Sequence, residues 1–177
     1  MKSLSCYILL SVFLLALSCR NNVPDATTDP IEAKRKNEAL INMNTYVAKR
    51  NQELIERFVN RTGLNMKETG SGLWYEVYYH GNGDSARYGD IVAISYKLRL
   101  LDGTAIDSVS ENKPKIFVVG KGGVEAGIEE GILLLQEGDS VRFILPPHLA
   151  FGNFGDQQKI PPSAFLFYDL CLIGVKP

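Results

Sequence analysis

Two strand-like stretches near the end of the chain are joined by a loop that has a pair of prolines at each end. Residues 138–145 alternate between apolar and polar side chains, whereas residues 165–175 are apolar on both faces except at Asp169. These patterns predict a half-buried strand and a fully buried central strand. Pro146-Pro147 and Pro161-Pro162 cannot donate to a strand ladder, so they bound a connection of about 15 residues, too long for a plain hairpin. Such long connections usually carry function.

Upstream of this stretch, apolar residues recur with a period of two. Residues 73–80 and 91–100 both alternate between apolar and polar positions, which predicts two more strands. Asp102-Gly103, after the second of them, predicts a type I′ hairpin turn. The other predicted elements are strands at 104–108 and 116–119 and a short helix within 124–135. The sum is an α+β fold in which an antiparallel β-sheet wraps on one short α-helix.

A helix is predicted in front of this sheet. Asp29 can cap its start, Pro30 suits the first helical position, and Thr62-Gly63 suits its end. Between them one apolar stripe runs opposite charged residues, so the helix is amphipathic, and an interruption near residues 42–44 is one alternative. The stripe has three ways to be covered: by the domain downstream, by a second copy in a homodimer, or by a membrane surface.

The beginning of the chain has the pattern of a lipoprotein signal. Met1-Lys2 precedes an apolar run at residues 7–17 that is too short to span a bilayer. The following Ala-Leu-Ser-Cys ends at Cys19, the expected lipidation site, although ordinary cleavage that leaves a chance thiol is the alternative. The predicted domains are a signal peptide at 1–18, a lipidated flexible tether at 19–29, a helical segment at 30–63 and a domain at 72–177. We expect anchoring in the bacterial envelope, on the periplasmic side of the outer membrane.

Composition and motifs exclude several classes of function. A net charge of −1 gives no basic surface for nucleic acid. His80 and His148 have no Cys, Ser or second His at the spacing of a metal site or a catalytic triad. Cys171 is the only cysteine beyond Cys19, so no disulfide framework is predicted. We expect no metal, no cofactor and no nucleic-acid partner.

Ordered motifs across residues 72–177 resemble FKBP-type peptidyl-prolyl isomerases. The resemblance rests on Phe151-Gly152 with Gly155, on Ile160-Pro161-Pro162, and on Asp102-Gly103-Thr104 followed by Ile106-Asp107-Ser108. Together with the signal and the helix, the chain is similar to the gliding-motility-associated lipoprotein branch of that family. The resemblance implies isomerisation of X-Pro bonds in exported proteins, with proline-containing polypeptides as clients.

The family's pocket residues can be carried over to matching positions. The resemblance implies a catalytic set of Tyr96, Asp107, Phe151 and Tyr168, and a substrate-binding set of Ile106, Phe117, Val124, Glu125, Ile128 and Ile160. It also implies that the backbone N–H of Glu125 binds a substrate carbonyl, and that the hydroxyl of Tyr96 orients Asp107.

Several of these positions depart from the family pattern. Ile128 stands where the family has a Trp, Phe151 lacks the hydroxyl of the usual Tyr, and Glu125 stands where apolar residues are common. The Arg that often pairs with the Asp107 position has no counterpart. We therefore expect weak catalysis, unless the hydroxyl of Tyr168 replaces the one missing at Phe151. The alternative is a catalytically weak binding or chaperone module in an envelope assembly for gliding or secretion.

Overall fold

The structure, a computed structural model, describes residues 30–177, and its first element is the helix α1, Pro30–Thr62. Gly63 ends the helix with a φ of +69°, and its N–H donates to the carbonyl of Val59 at 2.9 Å. The predicted N-terminal helix is confirmed. The helix continues through residues 42–44, where an interruption was one alternative. Each asparagine there lowers the stability of the helix by less than about 1 kcal/mol, which is too little to break it. The signal sequence, Cys19 and the tether lie outside the described residues.

Seven strands form one antiparallel sheet in the order β1-β2-β6-β7-β3-β4, with β5 also paired to β3. The strands are β1 Lys67–Glu68, β2 Trp74–Tyr79, β3 Ile91–Leu100, β4 Ala105–Val109, β5 Lys115–Val118, β6 Ser140–Leu145 and β7 Leu166–Lys176. The helix α2, Ala126–Ile132, precedes β6, and a short 3-10 helix, Pro147–Leu149, follows it. The predicted α+β fold is confirmed.

The helix α2 packs on one face of the sheet and closes the main core. Two glycines in α2 allow this close approach. A Cβ at Gly131 would lie 2.5 Å from Cζ of Phe143, and one at Gly127 would lie 2.6 Å from Cγ of Leu145. Since real Cβ atoms do not come this close to a packed side chain, these positions seat the helix directly on β6.

The C-terminal part of α1 covers the opposite face of the sheet. Ile55 is 1% exposed and packs with Val59, Trp74, Ile144 and Phe167 in a second buried cluster. This part of the apolar stripe is therefore covered by its own domain, which also explains why β7 is apolar on both faces. Residues of α1 from Asn44 onward belong to the same compact unit as the sheet.

The N-terminal part of α1 leaves apolar side chains in solvent. Leu40, Met43 and Val47 follow one another at helical spacing, and all three are exposed. No helix within residues 30–177 has the length and apolar content needed to cross a membrane. We call these three residues the upper stripe of α1. That a second copy of the chain covers them stays a prediction.

The hairpin between β3 and β4 differs from the turn that the sequence predicted. Gly103 has a φ of +96°, but Asp102 is not in the positive-φ region that a type I′ turn requires. The N–H of Gly103 donates to the carbonyl of Leu100, and the carboxylate of Asp102 accepts from the N–H of Thr104 at 2.8 Å. Four residues, 101–104, thus separate the two strands, because this side-chain bond stabilises a longer turn than the dipeptide alone indicates.

Truncation of Ile55 tests the packing of α1 on the sheet. We expect Ile55→Ala to lower the free energy of unfolding by about 2–5 kcal/mol, because it leaves a cavity in a fully buried cluster. Urea denaturation followed by the fluorescence of Trp74, which lies in the same cluster, measures the change. Leu54→Ala, at a partly exposed neighbouring position, should cost less than about 1 kcal/mol. Equal effects of the two variants would contradict this packing.

Candidate functional site

The centre of the candidate site is a pair of buried tyrosines, Tyr96 on β3 and Tyr168 on β7. Their ring centroids are 5.3 Å apart and the rings meet edge to face at 66°. The strand register causes this contact. Tyr96 lies opposite Leu170 and Leu98 lies opposite Tyr168, so the two rings are diagonal neighbours on the same face of the sheet.

Five other predicted apolar residues share the main buried cluster with the tyrosine pair or pack against it. They are Ile106 on β4, Phe117 on β5, Val124 before α2, Ile128 on α2 and Ile160 at the end of the long loop. The structure therefore gathers in one cluster sequence-predicted positions that are scattered over more than fifty residues of sequence.

Phe151 is the predicted site residue that lies apart from this cluster. It follows the 3-10 helix in a turn, where its side chain is 37% exposed. It has no hydroxyl to bind a substrate carbonyl from there. Any contact of Phe151 with a bound proline is therefore apolar.

Each tyrosine hydroxyl donates a hydrogen bond to a carboxylate. Tyr96 donates to Oδ2 of Asp107 at 2.9 Å, and Tyr168 donates to Oε1 of Glu125 at 2.8 Å. Burial raises the pKa of both tyrosines, and the bonded carboxylates raise these pKa values further. Both hydroxyls thus remain protonated donors.

The contact with Glu125 bears on the idea that Tyr168 supplies a substrate-binding hydroxyl. In the structure this hydroxyl is already engaged by the protein's own carboxylate. A substrate carbonyl would have to share the hydroxyl or displace Glu125. The sequence carries no local signal for this contact, because Glu125 and Tyr168 are 43 positions apart and meet only in the folded chain.

Glu125 also positions the start of α2. Its backbone is extended, with φ −63° and ψ 149°, and its carbonyl accepts from the N–H groups of Ile128 and Glu129. Within residues 30–177, no hydrogen bond is formed by its own N–H. This N–H is therefore available for a substrate carbonyl.

Two carboxylates outside the predicted set hold the loops that frame the site. Glu129 accepts from the N–H groups of Gly120 and Gly122, in the loop before Val124. Asp156 accepts from three consecutive N–H groups, those of residues 158–160, and these bonds lower its pKa. Glu129 lies in the Glu129-Glu130-Gly131 segment that also resembles the family, and Asp156 follows Gly155 in the proline-bounded loop.

A groove of about 690 Å³ borders the site along the β4 edge. Ile106 and Asp107 line it, together with Lys97 and Arg99 from β3 and Lys159 from the long loop. The ammonium group of Lys159 donates to the carbonyl of Ile106 at 3.3 Å. The groove gives an extended chain a route past Asp107.

Comparison with known proteins identifies the domain that holds this site. The family model of FKBP-type peptidyl-prolyl cis-trans isomerases matches residues 83–173, which extend from before β3 into β7. The chain belongs to this FKBP-type family. The matched range includes all ten predicted catalytic and substrate-binding residues.

Bacterial FKBP-type proteins are among the similar relatives. The chain is 37% identical over 131 residues to the probable isomerase FkpA of Neisseria meningitidis serogroup B, covering 72% of this chain and 47% of the relative. It is 32% identical over 157 residues to FkpA of Escherichia coli K12, covering 86% of this chain and 56% of the relative. The chain thus spans about half the length of these curated FKBP-type relatives.

A solved structure agrees with this assignment. The crystal structure of FkpA from Escherichia coli matches with a TM-score of 0.63 and 28% sequence identity, and the match covers 100% of this chain and 83% of that chain. The likeness includes α1 as well as the FKBP-type domain.

The two raised tyrosine pKa values predict a loss of stability in alkali. Below pH about 10, the ordinary pKa of tyrosine, both residues are protonated in the folded and the unfolded chain. Above it the unfolded chain releases protons that the folded chain retains, so the free energy of unfolding falls as pH rises. Removing one such group, in Tyr168→Phe, should make this fall shallower. Urea unfolding of wild type and variant at several pH values between about 9 and 11 measures the fall in the free energy of unfolding. Parallel plots of this free energy against pH would contradict the prediction.

Proposed function

We propose that the protein is a peptidyl-prolyl cis-trans isomerase that acts on X-Pro bonds of exported polypeptides. The observation that carries the proposal is the convergence of Tyr96, Phe117, Ile128 and Tyr168 in one FKBP-type domain, with Asp107 hydrogen-bonded at its border. The family is named for this activity.

The chemistry needs no nucleophile. Rotation about an X-Pro bond faces a barrier of roughly 18–20 kcal/mol, because the planar amide is stabilised by resonance. The twisted amide has lost that resonance and is less dipolar, so an apolar, aromatic-lined slot binds it better than the planar form. Each 1.4 kcal/mol of such preference accelerates rotation about tenfold.

Three groups have roles in this mechanism. The aromatic and aliphatic cluster around Tyr96 and Tyr168 holds the prolyl ring away from water. The free N–H of Glu125 binds a substrate carbonyl and fixes the orientation of the segment. Asp107, held by the hydroxyl of Tyr96, faces the rotating amide.

A binding module with little turnover is the second candidate. It is favoured by the engaged hydroxyls of Tyr96 and Tyr168 and by the absence of a hydroxyl at Phe151, which leave no free tyrosine donor among the predicted site residues. The exposed upper stripe of α1, at Leu40, Met43 and Val47, is an additional apolar surface for unfolded clients or for a second copy. Sedimentation of the purified chain tests the homodimer.

We place the protein in the bacterial envelope, attached to a membrane through lipid on Cys19. The short apolar run at residues 7–17 and the cysteine that follows support this placement, as does the similarity to bacterial FkpA proteins. Several acyl chains, at about 0.8 kcal/mol per buried methylene, give stable attachment. The gliding-motility branch stays a prediction.

Isomerase activity separates the two candidates. We expect the soluble chain from Asn21 onward to accelerate isomerisation of an X-Pro peptide, and Asp107→Asn to reduce kcat/KM by about tenfold, because one charge at the rotating amide is lost. Exchange between the cis and trans peptide signals in NMR measures the rate. Asp84→Asn, the same change in an exposed turn, should leave it unchanged. A rate equal to that in buffer, with peptide binding retained, would favour the binding module.

The lipid anchor predicts the position of the protein in fractionated cells. Wild-type protein should sediment with the membranes, and Cys19→Ser should prevent lipid attachment, because serine lacks the thiol that carries the lipid. Incorporation of a labelled fatty acid into wild type and variant measures the modification. Equal incorporation in both would exclude Cys19 as the lipidation site.

A further inference from the structure

Two carboxylates lie at opposite sides of the tyrosine pair. Asp107 is bonded to Tyr96, Glu125 is bonded to Tyr168, and the two tyrosine rings are in direct contact. Both carboxylates therefore flank the same tyrosine pair. In the proposed function this pair lines the slot that receives the prolyl ring, so the two acids determine the charge at the rim of that slot.

Neither acid has a cationic partner in the described part of the chain. The ion pairs between residues 30 and 177 involve other carboxylates, those of Glu32, Glu53, Glu76 and Asp139. Each of the two rim carboxylates has one hydrogen bond from a tyrosine, and its second oxygen accepts none. Neither carboxylate is thus ion-paired, and both can reach solvent, since Asp107 is exposed and Glu125 is half-buried.

Three cations line the groove that Asp107 also lines, Lys97, Arg99 and Lys159, but none of them forms an ion pair with it. Arg99 stacks over the ring of Phe167 at 4.4 Å, and the ammonium group of Lys159 donates to the carbonyl of Ile106. Glu125 does not line this groove, and no cation within residues 30–177 contributes to the pKa shift of either tyrosine.

We propose that Glu125 and Asp107 make this site selective for proline segments that carry Lys or Arg next to the proline. The inference rests on the proposed function, since it names the substrate class of the same slot. Binding of a segment in the slot removes water from both carboxylates, which is unfavourable for unpaired charges. A basic side chain offsets this loss by pairing with a carboxylate, whereas an acidic one adds repulsion.

Glu125 is the specificity-determining member of the pair. Its backbone N–H is placed to bind the substrate, so its carboxylate lies within one residue's reach of the bound segment. Asp107 faces the rotating amide itself, so changing it would alter catalysis as well as selectivity. Glu125→Gln removes the charge but keeps an oxygen that can accept the hydrogen bond of Tyr168.

A peptide series tests the proposal with the full chain in a non-ionic detergent. The peptides carry Lys, Leu or Glu either directly before or directly after one proline, and NMR exchange gives kcat/KM for each. We expect a Lys peptide to react about tenfold faster than its Glu counterpart at low ionic strength, since opposite charges a few ångströms apart are weakly screened at such a rim. The ratio should shrink toward one in about 0.5 M salt.

The matched variants assign this ratio to one side chain. Glu125→Gln should reduce the Lys-to-Glu ratio at least threefold. Glu68→Gln removes the same charge from an exposed position on β1, at the sheet edge opposite β4, and should leave the ratio unchanged. If Glu125→Gln fails to fold, the salt dependence of the wild-type ratio decides.

The outcomes for selectivity and for activity are separate. Isomerisation at equal rates for Lys, Leu and Glu peptides would overturn the selectivity and leave the isomerase standing. If no peptide reacts faster than in buffer, the proposed function fails, and dissociation constants of the same peptides test the selectivity. Tighter binding of Lys than Glu peptides in wild type but not in Glu125→Gln supports it, and equal constants overturn it.

Discussion

The pairing of β3 with β7 is the interaction on which the rest of the structure depends. These two strands are long and central, and their side chains reach both faces of the sheet. Because side chains alternate, the register that places Leu98 opposite Tyr168 also places Tyr96 beside it on the inner face. A slip of one residue would put Phe167 inside and Tyr168 outside. The core and the candidate site are therefore set by the same backbone ladder.

Helices pack on both faces of the sheet, and the two helices contribute differently. The helix α2 approaches β6 closely through Gly127 and Gly131, so it brings Ile128 and Glu125 to the tyrosine pair. The end of α1 buries Ile55 on the other face and stabilises the sheet without touching the slot. The site is thus built from rigid elements on one face only, with the long loop and β4 forming its rim.

Much of the fold could be predicted because the chain has strong local signals. The two-residue period, the paired prolines and the helix-start residues before α1 are each sequence signals for a single element. The hairpin at Asp102-Gly103 was predicted correctly but its turn type was not, since a side-chain bond to Thr104 outweighed the preference of the dipeptide. The contact of Glu125 with Tyr168 had no local signal, as it joins residues more than forty positions apart.

The sequence by itself determined the elements, their antiparallel arrangement and the family motifs, because propensities, periodicity and turn residues act over a few positions. Only the tertiary structure decided which side chains meet. It joined Tyr96 and Tyr168 each to a carboxylate, left both acids without an ion pair, and buried the part of the α1 stripe around Ile55. Hydrogen bonding and charge compensation depend on distances of a few ångströms between remote residues, and chain folding alone sets those distances.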